Sequence, residues 1–413
     1  MKNTIKLPQF AWHDAGEQEF ELPAGWKVEV CDMAGHDRPK LTAEQIKEAV
    51  GRPVGMAPLR EYARGKKEVV IIFDDMARVT RAAEIVPHVL DELAAAGIED
   101  RQIRFIGACG CHGAMTRTDF EKKLGKETLK RCPVYNHAPY DNCTYAGTTK
   151  RGTKLYINAE VMKCDLKIGI GSIVPHIMAG FGGGGKLVLP GVASYETIVA
   201  LHTPPKEAGG VGSTVTGMGN IEGNIRRQDI DEAVGIVGLD MKVDAIVNRL
   251  GDAVAIFAGE PVQEFAAGLE EARAHYLSPA ARDKDVVIAN SYAKVNEAIS
   301  GLQLAYPAIK PAGGVIVLVA NSPEGQVTHY LMGSFGTTIG GKFNLQMKPP
   351  DSVKRLIVFS EYPEVSIKRS MEDSEKVVLT DDWNEVLRLL EESCGPEAEA
   401  AVYPNADIQY CKR

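Results

Sequence analysis

The chain has 413 residues, 45% of them hydrophobic and 25% charged, with a formal net charge of −8. That length exceeds what one hydrophobic core usually serves, so two domains are expected, of ordinary soluble composition. An acidic balance with no basic stripe excludes a nucleic-acid binder, and no apolar run approaches the roughly 18 residues of a membrane span.

The opening residues Met1-Lys2-Asn3-Thr4-Ile5-Lys6-Leu7-Pro8 lack the apolar core of a signal peptide. Eight cysteines are scattered, several in strand-like apolar contexts such as Cys31 and Cys164, which suits a reduced, cytoplasmic protein. Val69-Val70-Ile71-Ile72-Phe73 reads as a strand buried on both faces and leads into Asp74-Asp75-Met76-Ala77-Arg78. An amphipathic helix is predicted from about Ala82 to Ala96, stopped by Gly97. The next strand, Ile103 to Gly107, ends at Ala108-Cys109-Gly110-Cys111-His112-Gly113. A third, Leu166 to Gly171, runs into Pro175-His176-Ile177-Met178-Ala179-Gly180-Phe181-Gly182-Gly183-Gly184-Gly185-Lys186. Three strands thus deliver polar residues just past their C-terminal ends, the edge where open parallel sheets bind ligands. Val262 to about Leu277 reads as a connecting helix. A second α/β series follows, with strands at 285–290, 313–319 and 355–359 and helices at about 293–310, 325–333 and 382–394. The boundary is placed near 275–283, giving domains 1–278 and 279–413. The fold class is α/β: two α/β domains with largely parallel sheets and the active site in the cleft between them.

The Gly-rich run is the strongest chemical signal. Glycine lets a backbone approach a ligand closely, at an entropic cost that folding alone does not justify. Lys186 lies ten residues after His176, and His202 sixteen after Lys186, so an amine is flanked by two imidazoles. Gly180-x4-Gly185-Lys186 nearly spells a phosphate-binding P-loop. Leu187 stands where the Mg²⁺-binding hydroxyl belongs, and Leu187-Val188-Leu189 reads as extended where a helix should begin, so an NTPase is rejected. No convincing Gly-x-Gly-x-x-Gly supports a nicotinamide dehydrogenase. His112 and His176 follow different strands, and together they could alternate as acid and base, although a lone histidine is more often structural. His202 ends an apparent helix, where an imidazole caps carbonyls or ligates a metal. Cys109-x-Cys111-His112 lacks the second pair a zinc site wants and reads as structural. Asp75-x-x-Arg78 alone favours a capping carboxylate with an exposed guanidinium, although Arg78 could clamp a substrate carboxylate.

Taken together, several pieces resemble the lactate racemase family, whose members use a nickel-pincer nucleotide. They are Asp75-Met76-Ala77-Arg78, Gly110-Cys111-His112, the run from Pro175 to Lys186, Pro190-Gly191-Val192-Ala193-Ser194 and His202. Gly223-Asn224, Asp229-Ile230-Asp231-Glu232-Ala233 and Gly313-Gly314 extend the match from about residue 10 to residue 370. The resemblance implies that Lys186 carries the pyridinium-derived cofactor through a thioamide bond and that His202 ligates its nickel. Gly182, Gly183, Gly184 and Gly185 would cradle the cofactor, with Asp75 supporting it. His112 and His176 would be the paired acid/base residues, and Arg78 would hold the substrate carboxylate. The implied activity is a racemase or epimerase that inverts the α-carbon of a 2-hydroxy acid by hydride transfer, in a protein loaded by cofactor-synthesis proteins.

One stretch departs from the family. Where lactate racemase has a Gln and, three residues on, a Lys, this chain carries Glu297 and Ser300, with Lys294 nearby. Loss of that cation points to a larger or more polar 2-hydroxy acid, such as a sugar acid, with Glu297 and Ser300 as substrate contacts. The alternative is a homologue that binds a nucleotide or cofactor without turnover.

Overall fold

The computed structural model describes residues 3–203, 216–333, 335, 338, 340–343, 346–372 and 374–412. The strands β1 (Asn3–Gln9) and β2 (Gly16–Leu22) form an antiparallel hairpin, followed by β3 (Lys27–Val30). Next come β4 (Val69–Asp74), β5 (Ile103–Ala108), β6 (Val134–Asn136), β7 (Cys143–Thr148), β8 (Lys154–Asn158) and β9 (Leu166–Ser172). The short β10 (Pro175–His176) and β11 (Gly180–Phe181) precede β12 (Met241–Val247) and β13 (Ala253–Gly259). The chain ends with β14 (Val286–Asn290), β15 (Gly314–Val319), β16 (Val353–Phe359), β17 (Val377–Thr380) and β18 (Glu399–Tyr403). Two compact units result: Arg38–Arg273, and Met1–Asp37 with Ala274–Arg413.

The Arg38–Arg273 unit is built on a six-stranded sheet in the order β13-β12-β9-β4-β5-β6, parallel except for the antiparallel β13. β4, β9 and β12 are buried along their whole length, which is why they read as unbroken apolar runs. From β4 the chain builds outward to β5 and β6, then returns to lay β9 and β12 on the other side. The strand order therefore reverses at β4, and a crevice opens beyond the carboxyl ends of β4 and its neighbours. That reversal sets the loops after β5, β4 and β9 side by side.

The second unit holds an all-parallel sheet in the order β17-β16-β15-β14-β18-β3. Successive residues face opposite sides. Val287, Ala289, Ile316 and Leu318 pack with Ala298, Leu302 and Ala305. Val286, Ile288, Val315 and Val317 pack with Phe20, Trp26 and Leu390. The N-terminal hairpin thus covers one face of a sheet whose central strands come nearly 300 residues later. Residues up to Asp37 belong to this second unit, not with residues 38–273 as expected from chain order. Lys27 pairs opposite Glu399, and Gln9 Nε2 donates to Asn290 Oδ1 at 2.7 Å. At the other end the chain re-enters this unit at Ala274, next to the expected boundary.

Local expectations fare unevenly. The helix expected from Ala82 begins as a 3₁₀ turn, Ala82–Glu84, and becomes α-helical over Val86–Ala95, with Pro87 in its first turn and Gly97 at φ 88° beyond it. The expected 293–310 helix breaks into a 3₁₀ segment, Val295–Gly301, kinked at Glu297, and a helix, Leu302–Ala308. No helix forms over 325–333: Gly325 sits at φ 76°, and the amide of Val327 donates outward to Asn296 O. No helix among the described residues is long and apolar enough to cross a membrane.

His137, buried just past β6, clamps this part of the sheet. Its Nε2–H donates to Ala193 O at 2.8 Å and its Nδ1 accepts from Asn158 Nδ2 at 3.2 Å, so the ring is neutral. Burial pushes its pKa down to about 4 from an ordinary 6.5, against the smaller opposing effect of the Ala193 carbonyl. As pH falls the unfolded chain takes up this proton first, so stability is lost between pH 6.5 and pH 4, by up to roughly 3 kcal/mol. In urea unfolding at about pH 7.5 and about pH 4.5, the wild type is expected to lose about 2 kcal/mol more than His137→Gln. Equal losses would show that the ring is not held neutral.

Candidate active site

The carboxyl end of β4 places two adjacent carboxylates with separate partners. Asp74 turns inward, where Lys123 Nζ lies 2.8 Å from its Oδ1 and Thr80 Oγ1 donates to its Oδ2 at 2.5 Å. The same Lys123 Nζ donates to Arg78 O at 2.7 Å, tying the turn that carries Arg78 to the buried pair. Burial pushes Asp74 up and Lys123 down, and their mutual attraction opposes both shifts. Asp75 accepts the amide of Ala77 at 3.1 Å through Oδ1, while Arg78 N donates to Asp75 O at 3.2 Å. The sequence is a turn here, not a helix start. The second oxygen of Asp75 lies 2.5 Å from His112 Nδ1, so the carboxylate expected to cap a helix orients an imidazole instead. Arg78 is half-buried rather than exposed, with Nη1 donating to Ala77 O at 2.5 Å.

Backbone and carboxylate partners orient three histidines. His112 gives its Nδ1 proton to Asp75, which leaves a lone pair on Nε2. His176 is the reverse. Its Nδ1 accepts the amides of Met178 and Ala179 at 3.1 and 3.2 Å, and its Nε2 lies 2.7 Å from Lys186 Nζ. His202, last residue of the helix Tyr195–His202, donates Nδ1–H to Ile198 O at 2.8 Å and keeps Nε2 unprotonated. Burial pushes its pKa down to about 4, and the positive charges of Lys186 and Arg226 push the same way. His112 also lies within electrostatic reach of His202. The three rings thus differ in what meets Nδ1, and His112 and His202 keep Nε2 unprotonated.

Lys186 stands on a 3₁₀ turn, Gly184–Leu187, and not on an extended segment. Val188 N and Leu189 N both turn back to Gly185 O at 2.9 and 3.0 Å, which overturns the extended reading of Leu187 to Leu189. Three of the glycines before it are required by the protein's own packing. A Cβ on Gly183 would lie 2.7 Å from Ile173 Cγ1; on Gly184, 2.6 Å from Arg227 Nη2; on Gly185, 2.4 Å from Val234 Cγ2. Gly183 and Gly184 have φ of 75° and 54°. The Gly184 amide is taken by Asp244 Oδ2 at 2.7 Å. Gly182 alone of the four has no contact tighter than ordinary van der Waals distance. The turn is thereby pressed onto the helices Ile225–Val237 and Pro261–His275.

Asp75, Arg78, His112, His176, Lys186, His202 and the glycines all belong to the Arg38–Arg273 unit, whereas Glu297 and Ser300 belong to the other. Glu297 is half-buried at the kink. Ser300 is buried, and its hydroxyl finds no partner among the described residues. Lys294 is also buried, its amide 2.5 Å from Asp407 Oδ2, and so does not stand in as an exposed cation. The sequence reading missed Lys123, Asp244 and Arg226. A charged residue in an ordinary helix or strand gives no sign that it is buried until the fold is known.

Residues 13–208 match the lactate racemase N-terminal domain. Over 303 residues the chain is 28% identical to the lactate racemase of Lactiplantibacillus plantarum, spanning 72% of this chain and 70% of that one. It is 27% identical over 300 residues to the lactate racemase of Thermoanaerobacterium thermosaccharolyticum, 71% and 69% of the two chains. The solved apoprotein of the latter species superposes over the full length of both chains with a TM-score of 0.76 at 22% identity. The chain is similar to lactate racemases in sequence and shares the fold of one of them. A Thermotoga maritima protein structure shares the fold at a TM-score of 0.63 and 17% identity, covering 91% of this chain and all of that one. These likenesses support an isomerase of the racemase type.

The packing reading of the glycines is testable by stability. Gly184→Ala places a methyl in the left-handed region and against Arg227 and Phe265, and is expected to cost about 2–4 kcal/mol. Gly223→Ala, at φ 71° with open space around it, isolates the backbone strain and should cost about 1–2 kcal/mol. Equal costs in chemical denaturation would mean the Gly184 contacts do not constrain the turn.

Proposed function

We propose that the protein is a racemase or epimerase of 2-hydroxy acids that carries a nickel-pincer nucleotide on Lys186. The observation that supports this reading is the histidine set: His112 oriented by Asp75, His176 beside Lys186, and His202 kept neutral with Nε2 unprotonated. The residues fit the group. His202 offers the neutral nitrogen a nickel ion prefers, and Lys186 offers an amine on a rigid turn. Among the described residues no three His, Cys, Asp or Glu side chains converge, so the remaining donors would come from the cofactor. When bound, the group would supply a centre that takes a hydride from the substrate α-carbon and gives it back.

The chain's own residues then have proton work. Arg78 holds the substrate carboxylate by its planar donor fork. His112 Nε2 takes the hydroxyl proton as the α-carbon flattens, with Asp75 stabilising the imidazolium that forms. His176 in its protonated, imidazolium form returns a proton to oxygen on the opposite side, and the roles exchange for the other enantiomer. Glu297 and Ser300, in place of the Gln and Lys of lactate racemase, favour a larger and more polar acid than lactate, such as a sugar acid. The unpartnered Ser300 hydroxyl supports that preference.

Protein co-expressed with cofactor-synthesis proteins is expected to show an added mass that Lys186→Ala abolishes, and nickel that His202→Ala loses while the adduct remains. Asp75→Asn should lower kcat by roughly 10²-fold or more with the adduct intact. An unmodified, nickel-free wild type would favour a non-catalytic binding homologue, and lactate as the best substrate in a panel would refute the polar-substrate reading.

A further inference from the structure

Arg226 is the second residue of the 13-residue helix Ile225–Val237 and is only 4% exposed. Its neighbour Arg227 is fully engaged: Nε pairs with Asp231 at 2.8 Å, Nη1 reaches Gly183 O at 3.4 Å, and the guanidinium lies 3.6 Å over the Phe265 ring. Arg226 has no such set. Its Nε and Nη1 are buried and find no partner among the described residues. Burial lowers its pKa, and its Nε and Nη1 meet no matching anion among the described residues. A buried guanidinium left in that state is costly, which makes it a receptor for one.

The position of this helix end ties the vacancy to the active site. Asn224 caps the helix through Oδ1 and donates Nδ2 to Met178 O at 3.0 Å, within the turn that holds His176. The next turns of the helix support Gly185. Arg226 is thereby held in electrostatic reach of His202, as Lys186 is. The positive end of the helix dipole adds to its field. Two anions must be accommodated if the proposed function holds: the substrate carboxylate, already matched by Arg78, and the phosphate of the cofactor nucleotide.

We infer that Arg226, at the amino end of the helix Ile225–Val237, is the subsite for the phosphomonoester of the nucleotide cofactor. The inference rests on the proposed function for the identity of the ligand. Its test does not use turnover. Cofactor-free full-length protein is titrated calorimetrically with nicotinic acid mononucleotide and with the riboside that lacks the phosphate. The mononucleotide is expected to bind roughly 10–100-fold more tightly. Arg226→Met should erase that difference without weakening riboside binding, and Arg226→Lys should retain part of it. If Arg226→Met does not fold, as judged by its melting curve, the Lys variant alone decides, and full wild-type discrimination in it would overturn the inference. A folded Arg226→Met that still discriminates, or a wild type that never does, would also overturn it. A wild type with a Lys186 adduct but no discrimination sinks this subsite alone. Discrimination without any adduct sinks the covalent carrier and leaves the subsite.

Discussion

The candidate site depends on the buried pair between Asp74 and Lys123. A carboxylate at the end of a central strand and an ammonium from the helix Arg117–Leu124 are both withdrawn from water, and each is tolerable only because of the other. Such a pair is weak evidence for stability, because its Coulomb attraction roughly offsets its desolvation. Its value here is positional. Lys123 also holds the carbonyl of Arg78, so one ammonium fixes both ends of the turn 74–78. Asp75 and Arg78 are carried by that turn. If Asp74 were paired with solvent, Asp75 would lose the fixed direction from which it orients His112.

A second buried charge group does for Lys186 what the first does for His112. Lys242 and Asp244, both fully buried on β12, form an ion pair, and Asp244 uses its other oxygen to take the Gly184 amide. Glu264 is buried nearby. Burial, reinforced by the Asp244 charge, pushes it well above the usual carboxylate range. Arg227 completes the group across Gly183. The Gly-rich turn is therefore gripped from three elements and is rigid for a reason that a count of glycines would not suggest. The same composition that reads as freedom in the sequence is close packing in the fold.

Much of the architecture was legible because it follows from local pattern. β-branched apolar runs such as Val69 to Phe73 announce strands covered on both faces, and polar residues just beyond them mark the binding edge of a parallel sheet. Features set by distant partners were not legible. Nothing in Lys27-Val28-Glu29-Val30 signals pairing with Glu399 to Val402, and nothing local shows that Asp75 meets His112 across two strands. The helix expected at 325–333 has suitable residues, but Gly325 and the outward bond of Val327 direct the backbone elsewhere. For Leu187 to Leu189, a β-prone apolar triplet yields to the return of two amides to Gly185.

The histidines show how a fold assigns chemistry that composition leaves open. All three rings have the same intrinsic pKa and the same two nitrogens, and the sequence offers no distinction between base, acid and ligand. Each is distinguished by what meets Nδ1: a carboxylate for His112, two amides for His176, a helix carbonyl for His202. The first and third are acceptors, so they draw the proton to Nδ1 and leave Nε2 unprotonated; the amides at His176 are donors, so its Nδ1 accepts while its Nε2 meets the Lys186 amine. A reversible inversion would need one ring neutral, to remove a proton on one side, and the other protonated, to supply one on the other, so the two rings would exchange protonation states, not tautomers, between the enantiomers.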